Sequence, residues 1–462
     1  MKHYEHHAED VKIAYIGGGS RGWAWGLMSD LVSQDILSGT VLLYDIDRNA
    51  SAMNEIIGNR MNHVEGAKSQ WNYKAVDSLK EALTGADYVV ISILPGTFDE
   101  MESDVHLPEK YGIYQSVGDT TGPGGIVRAI RTIPMFEEIA YAIRDYAPEA
   151  WVINYTNPMS LCVTALYYYF PKIKAFGCCH EVFSAQKLLA AALEDIVGIR
   201  GVKREEICVN VQGINHFTWL SAAHYRDIDL MPVYREFVDK YYEKGFGSDE
   251  SEHWINKHFH CAHRVKFDLF KRYGSIAAAG DRHLAEFMPG KMYLANPEIV
   301  EKWSFALTPV KWRKEDLKNR MERGRRLVTG EEELKIKETG EEGVLMMQAM
   351  AGYRTLVTNV NLPNVGQAPD LPQGAVVETN AVFRHGTVTP VFAGAMPNEI
   401  NALVSRHVCN HKTIMEGVAA RNRDKVFTAF INDPLVTCSY SDAKKLFDEM
   451  LKNTAKYLPE NF

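Results

Sequence analysis

The chain has 462 residues, 46% of them apolar and 24% charged, with a formal net charge of −8. That supplies a large core and length for roughly two domains, and the negative balance gives no electrostatic reason to bind nucleic acid or an acidic surface. No run approaches the ~18 apolar residues of a membrane span, and seven cysteines in this length do not make a disulfide scaffold.

In chain order, the start MKHYEHHAED is polar. With the odd cysteine count it leads us to expect a reducing, cytoplasmic location. Next comes VKIAYIGGGSRG, Val11–Gly22, which reads as a buried strand, a glycine turn and the start of a helix. Gly17, Gly19 and Gly22 fit G-x-G-x-x-G, the spacing that lets backbone approach a pyrophosphate at a helix N-terminus. Gly18, Ser20 and Arg21 share the turn. The following apolar run, Thr40–Tyr44, ends at Asp45, placed to accept hydrogen bonds from a ribose diol, with Asp47 as competitor. Glycines also occupy ordinary turns, but strand, turn, helix, strand and acid in this order point to dinucleotide binding.

Further strands are expected at Tyr88–Ile93, Trp151–Tyr155 and Lys174–Cys178, with helices at Arg128–Arg144 and Ser160–Tyr169. The alternation predicts an α/β fold with a Rossmann-like, mostly parallel sheet over residues 1–204. Ligands of such sheets bind beyond the carboxyl ends of the strands. Gly17–Gly22, Leu94–Thr97, Asn154–Pro158 and Cys178–Phe183 fall at those ends. Residues 205–462 read as a mixed α+β domain. Strands are expected at Glu206–Val211, Phe217–Tyr225, Thr355–Val360 and Ala375–Val382. Helices are expected at Leu230–Tyr242, Glu252–Tyr273, Glu315–Arg325, Glu331–Met350, with Gly340 as a candidate break in the last, and within Met396–Tyr457. The cations of Lys311–Arg326 read as a solvated helix face.

Several residues can carry chemistry, each with a plain structural alternative. Asn154 and Asn157 can bind sugar hydroxyls or cap the next helix. Cys178, Cys179, His180 and Glu181 follow a strand, and one thiolate there, with His216 from the break Gly213–His216, can hold a divalent transition metal; otherwise Cys178 and Cys179 are small core residues and His216 is a structural histidine. In Gly280–His283, Asp281 can act as a base while Arg282 and His283 address an anionic or polyhydroxy ligand; the alternative is a salt-bridged loop. Asp119 either lies near the site or orders a glycine-rich turn. His258, His260 and His263 lack the H-E-x-x-H pattern and read as structural or peripheral.

On these residues the chain resembles the NAD- and divalent-metal-dependent glycoside hydrolases of family 4. The resemblance runs through GGGS (Gly17–Ser20), Asp45, GDTTGPGG (Gly118–Gly125), NYTNP (Asn154–Pro158), CHE (Cys179–Glu181), GINH (Gly213–His216) and NLPNVG (Asn361–Gly366). It implies a Rossmann-like domain followed by a mixed domain, as in the lactate and malate dehydrogenases, and a homodimer or homotetramer. It also implies manganese on Cys179 and His216, substrate on Asn154, and Asp281 as base. Phospho-sugar members tend to carry an acid directly after the metal cysteine, where this chain has His180. The Cys-His-Glu sequence looks most like the branch acting on α-galacturonides; α-glucuronidases, α-galactosidases and α-glucosidases are the near alternatives.

The chemistry so implied is hydrolysis through a redox cycle. NAD⁺ takes hydride from sugar C3, the C2 proton becomes acidic, the C1 substituent is eliminated, water adds, and hydride returns. His180, Asp119 or a metal-ordered water would protonate the leaving oxygen, and Arg282 and His283 would meet the C6 carboxylate of a uronide. Two rivals share the nucleotide motif: a hydroxy-acid dehydrogenase that releases NADH, and a redox sensor without turnover.

Overall fold

The computed structural model describes residues 1–247, 261–460 and 462. The chain begins with β1 (Lys2–His3), β2 (Ala8–Ile16), α1 (Trp23–Val32), β3 (Leu37–Tyr44), α2 (Arg48–Met61), β4 (Trp71–Val76), α3 (Leu79–Leu83), β5 (Tyr88–Ile91) and α4 (Phe98–His106). There follow α5 (Gly122–Tyr146), β6 (Trp151–Asn154), α6 (Met159–Tyr169), β7 (Lys174–Gly177) and α7 (Glu181–Ala192). Strands β2 to β7 are parallel to their neighbours in the order β7-β6-β5-β2-β3-β4. The sequence direction reverses at β2, so the glycine turn after Ile16 sits at the switch point where a crevice opens. Ala14 and Ile16 face one buried cluster and Ile13 and Tyr15 the other, as expected for a strand covered by helices on both faces.

The second half begins with β8 (Cys208–Ile214), β9 (Phe217–Tyr225), β10 (Ile228–Asp229), α8 (Leu230–Tyr241), α9 (Arg264–Tyr273), β11 (Ile276–Ala277) and α10 (Asp281–Phe287). Strands β8 to β11 form a small antiparallel sheet centred on β9. Next come α11 (Pro297–Lys302), α12 (Val310–Thr329), α13 (Gly343–Met350), β12 (Leu356–Pro363), β13 (Val376–Arg384) and β14 (Thr387–Pro390). The chain ends in α14 (Asn398–Ala419), α15 (Arg423–Asn432) and α16 (Tyr440–Asn453).

Strands β12, β13 and β14 do not form a sheet of their own. They extend the parallel sheet antiparallel beyond β7, through the pairing of Asn361 with Gly177. The two halves therefore share a sheet, and one apolar cluster holds residues of both, from Ala14 to Leu451.

One strand was not anticipated, and two sequence expectations change. Strand β4 carries an alternating, half-polar pattern, WNYKAV, and pairs with β3 at the sheet edge, where one-sided burial suffices. The expected helix Glu331–Met350 exists only as α13. Gly330 ends α12 in a left-handed conformation at φ 82°. Residues 335–339 then lie against α1, where Lys337 exchanges backbone bonds with the Ser29 hydroxyl and Asp30 holds Thr339. The expected helix Glu252–Tyr273 is present as α9 in its C-terminal part; its earlier residues, with His258 and His260, lie outside the described residues. No helix among the described residues is long and apolar enough to cross a membrane.

Candidate active site

The nucleotide segment is built as its sequence suggests. Gly17 has φ 91°, and a Cβ there would fall 2.0 Å from the Ser92 carbonyl oxygen. At Gly19 a Cβ would lie 2.8 Å from Asp45 Oδ2, which instead accepts the Gly19 N–H at 2.8 Å. Asp45 Oδ1 accepts the Asp47 N–H, while Asp47 pairs with Arg21 and caps α2 through Ala50. Helix α1 starts without a side-chain cap or an acid in its first turn. Its free N–H groups thus face an open glycine cradle, an arrangement that suits a pyrophosphate. Burial raises the pKa of Asp45.

The carboxyl ends of the parallel strands lie on one edge of the sheet, the edge that carries this cradle. Asp119 and Thr120 arrive from the loop before α5, Asn157 from the turn after β6, and Cys179 to Glu181 from the turn after β7. His216 sits in the tight β8–β9 turn, and His283 in the first turn of α10.

Asp119, His216 and His283 each present a ligand atom within 4.8 Å of the others. The His216 and His283 rings are 4.0 Å apart. Thr120 Oγ1 donates to Asp119 Oδ1 at 2.7 Å and lies 3.0 Å from His216 Nδ1. A hydroxyl has one proton to give. With that proton on Asp119, His216 Nδ1–H donates to Thr120 and Nε2 keeps its lone pair. Burial above all, and then His283, pushes the pKa of His216 down to about 3, so the ring is neutral at physiological pH.

Burial would raise the pKa of Asp119, but His283, His216 and Arg128 outweigh it and hold the carboxyl well below its usual range. Glu181 behaves alike: burial opposes ionisation, the imidazoles of His283, His216 and His180 favour it, and the result is about 2. One Glu181 oxygen lies 3.6 Å from His283 Nε2, and the other accepts the Gly280 N–H. His283 Nδ1 and Asn157 Oδ1 are buried with no hydrogen-bond partner, and Asn157 Nδ2 reaches Asp119 at 3.4 Å. Both orphan atoms are suited to a ligand.

Cys179 is buried beside a carboxamide–carboxylate network. Glu378 accepts from Asn215 at 3.1 Å and Asn359 at 2.7 Å, and Asn359 also donates to the Cys179 carbonyl. Burial first, then Glu378 and Glu181, hold the Cys179 thiol well above its usual pKa. Such a thiol ionises when a cation replaces its proton. The donors that the structure groups here are the imidazoles of His216 and His283 and the ionised carboxylate of Asp119, a set that suits a divalent transition metal; Cys179 is not a member of that group.

Other expected site residues are placed differently. Asn154 is buried, and its amide is spent inside its own turn, on Thr156 O and Thr156 N. Asn157 is therefore the amide that faces the cluster. Asp281 points away from it, with its carboxylate oxygens accepting the Val265 and Lys266 N–H groups at the start of α9. Arg282 fixes backbone, donating to Ala306 O and Ser116 O. His180 Nδ1 pairs with Glu341 at 2.8 Å, which raises its pKa. Helix α12 is solvated along most of its cations, but Arg313 turns inward and shares the field of Asp119 with Arg128 and Arg282.

Sequence reasoning missed Thr120 and Glu286 as working parts, and the Asn215–Asn359–Glu378 network. Glu286 Oε1 accepts the Val117 and Gly118 N–H groups and so holds the loop that carries Asp119. Glu181 stood in the Cys-His-Glu segment, where its spacing was a usable signal. Glu378 lies on a distant strand with no local one.

Residues 12–195 match the family described as family 4 glycosyl hydrolase, and residues 211–436 match its C-terminal domain. An α-galacturonidase of Thermoanaerobacterium saccharolyticum is 63% identical over 99% of this chain and 98% of its own. The crystal structure of a Bacillus subtilis protein described as a glucosidase superposes with a TM-score of 0.91 at 53% identity, covering 96% of this chain and 100% of that one. A 6-phospho-α-glucosidase of gut microorganisms in complex with NAD and Mn²⁺ shares the fold, with a TM-score of 0.79 at 18% identity over 98% of this chain and 99% of its own.

Proposed function

The chain belongs to the family 4 glycosyl hydrolases, and from that premise we propose that it hydrolyses α-galacturonides with NAD and a divalent metal ion such as Mn²⁺. The observation that carries the chemistry is the convergence of Asp119, His216 and His283 beside the glycine cradle. Support for the substrate comes from the α-galacturonidases that match along the whole chain, at 53–63% identity. The field around Asp119 agrees, because the guanidinium groups of Arg128 and Arg313 make it suitable for an anionic sugar.

The turn Gly17–Arg21, the α1 N-terminus and Asp45 would hold the dinucleotide, which when bound supplies a reversible hydride acceptor. His216 Nε2, Cys179 Sγ and Asp119 would hold the metal, which when bound supplies positive charge for the oxygens of the oxidised sugar.

The chain's own groups then position substrate and move protons. Asn157 Oδ1 accepts from a sugar hydroxyl. His283, with Nδ1 unpartnered and Nε2 towards Glu181, takes the proton from sugar C2, and ionised Glu181 stabilises the imidazolium that results. Asp281 has no part in this transfer, since its carboxylate lies with Cys261 and His263 rather than with His216 and His283. Asp119 and Thr120 fix the orientation of His216. His180, which pairs with Glu341, is the group proposed to protonate the leaving oxygen. All seven cysteines are free, which supports a reducing, cytoplasmic setting. A homo-oligomer is expected and is tested by light scattering.

The decisive test is a panel of nitrophenyl α-galacturonide, α-glucuronide, α-galactoside and α-glucoside with NAD⁺, Mn²⁺ and a reductant. Fastest cleavage of the galacturonide is expected, without net NADH, and with solvent deuterium entering C2 of the product. Steady NADH release from a hydroxy acid, with no glycoside cleaved, would overturn the reading in favour of a dehydrogenase.

A further inference from the structure

A second group of metal-type donors lies behind the active site, and the proposed hydrolysis does not use it. Cys261 Sγ is 3.9 Å from His263 Nδ1, and with an Asp281 carboxylate oxygen the three ligand atoms lie within 4.8 Å of one another. We propose that Cys261, His263 and Asp281 form a second divalent-metal site, selective for a borderline-soft ion such as Zn²⁺ over Mn²⁺.

The geometry is near what such an ion needs. Zinc–sulfur and zinc–nitrogen bonds of ~2.3 and ~2.0 Å at a tetrahedral angle place the two donors about 3.5 Å apart. A shift of a few tenths of an ångström in one ring brings this pair to that distance. Three protein donors leave a fourth position for water. Asp281 needs no movement, because the Val265 and Lys266 N–H groups hold it at 3.3 and 3.0 Å.

The protonation states agree with the geometry. Burial pushes His263 down to about 3, so its ring is neutral and open to a metal. Burial pushes the Cys261 thiol up to about 12, and it shares a hydrogen bond with Asp281. Binding is then an exchange: M²⁺ displaces the thiol proton, one proton leaves to solvent, and the thiolate and carboxylate balance the ion. Occupancy therefore rises with pH. Lys266 is buried alongside and donates to Ala278 O at 3.3 Å. Burial lowers its pKa, and Cys261, Asp281 and Glu181 oppose that shift.

A thiol, an imidazole and a carboxylate select zinc over manganese, because softness of the sulfur donor matters more than charge alone. The position gives the site a purpose. Cys261 and His263 precede α9, Asp281 opens α10, and His283 follows two residues later in the catalytic cluster. An ion here clamps the start of α9 to the start of α10 and so braces His283 from behind.

The test uses Co²⁺ as an optical substitute, in full-length Cys179→Ser protein with a non-thiol reductant, so that the other proposed metal thiol is gone. One equivalent of Co²⁺ is expected to give a thiolate-to-cobalt charge-transfer band, displaced by one equivalent of Zn²⁺ but not by Mn²⁺. Adding Cys261→Ser should abolish the band with circular dichroism unchanged. Adding His263→Gln instead should weaken Co²⁺ binding at least tenfold, and it carries the test if the serine variant does not fold. No band in the Cys179→Ser protein, a band that survives Cys261→Ser, or unaltered affinity in His263→Gln would each overturn the proposal.

Discussion

His216 and His283 come from different elements, a β-turn and a helix, yet their rings face one another with centroids 4.0 Å apart and planes tilted by 33°. Two imidazoles in such contact cannot both be charged at low cost. Burial settles the matter for His216, which stays neutral. The neutral ring is free to ligate, and Glu181 lies 3.6 Å from the other.

At the proposed metal site the Thr120 hydroxyl, 3.0 Å from His216 Nδ1, would leave Nε2 as the ligating nitrogen. Thr120→Val removes the acceptor of Nδ1–H and should weaken Mn²⁺ binding about 10–100-fold. Thr120→Ser should restore most of it. A titration of activity with Mn²⁺ reads both, and an unchanged midpoint in the valine variant contradicts the tautomer assigned here.

Arg282 holds Ser116 O and Ala306 O rather than standing free for a substrate carboxylate. Arg282→Ala should therefore lower stability by about 1–3 kcal/mol and reduce cleavage of galacturonide and galactoside alike. Urea unfolding and paired kcat/KM values measure this. A loss confined to the uronide would return Arg282 to the role the sequence suggested.

Asp281→Ala leaves the Val265 and Lys266 N–H groups without their acceptor. The expected cost is again about 1–3 kcal/mol, with kcat of the folded enzyme falling less than tenfold. A base lost from the reacting proton would instead reduce kcat by about 10²–10⁴ with stability intact. Unfolding curves and single-turnover rates separate the two.

Glu286 supplies a pH dependence of stability. Burial pushes its pKa from 4.5 up to about 8. Between those values the folded chain keeps a proton that the unfolded chain releases, so this group's contribution to stability falls as pH rises. Glu286→Gln keeps an acceptor for the Val117 and Gly118 N–H groups but cannot ionise. Melting temperatures measured from pH 5 to 8 should decline less steeply in the variant; parallel slopes would refute the assignment.

Cysteine reactivity should follow exposure. Cys208 and Cys409 are exposed, whereas Cys179 is buried with a raised pKa. Iodoacetamide at neutral pH should label the first two and spare Cys179 in metal-free protein. Peptide mapping after brief treatment decides it.

Much of the nucleotide half was legible because its signals are local. A strand, a glycine turn, a helix and an acid are read from consecutive residues, and their register follows from short connections. Cys179, His216 and Asp119 were likewise visible as polar breaks at strand ends. Asn154 and Asn157 were visible as a pair, but which one faces the ligand depended on the turn: Asn154 closes on Thr156, and Asn157 is left outward. The GDRH segment misled for the same reason. Consecutive residues on a helix point different ways, so Asp281 serves α9, Arg282 the loop at Ser116, and His283 the cluster.

By itself the sequence determined the parallel sheet, the glycine cradle and the chemical types available at its edge, since hydrophobic period and turn chemistry act within a few residues. Only the tertiary structure decided that β12 joins β7 and carries Asn359 and Asn361 behind Cys179, that Glu286 props the loop of Asp119, and that His283 rather than Asp281 faces His216. Those outcomes depend on contacts between residues about seventy or more positions apart, whose partners are chosen by packing and by the need to satisfy each buried polar group, and no local pattern records that choice.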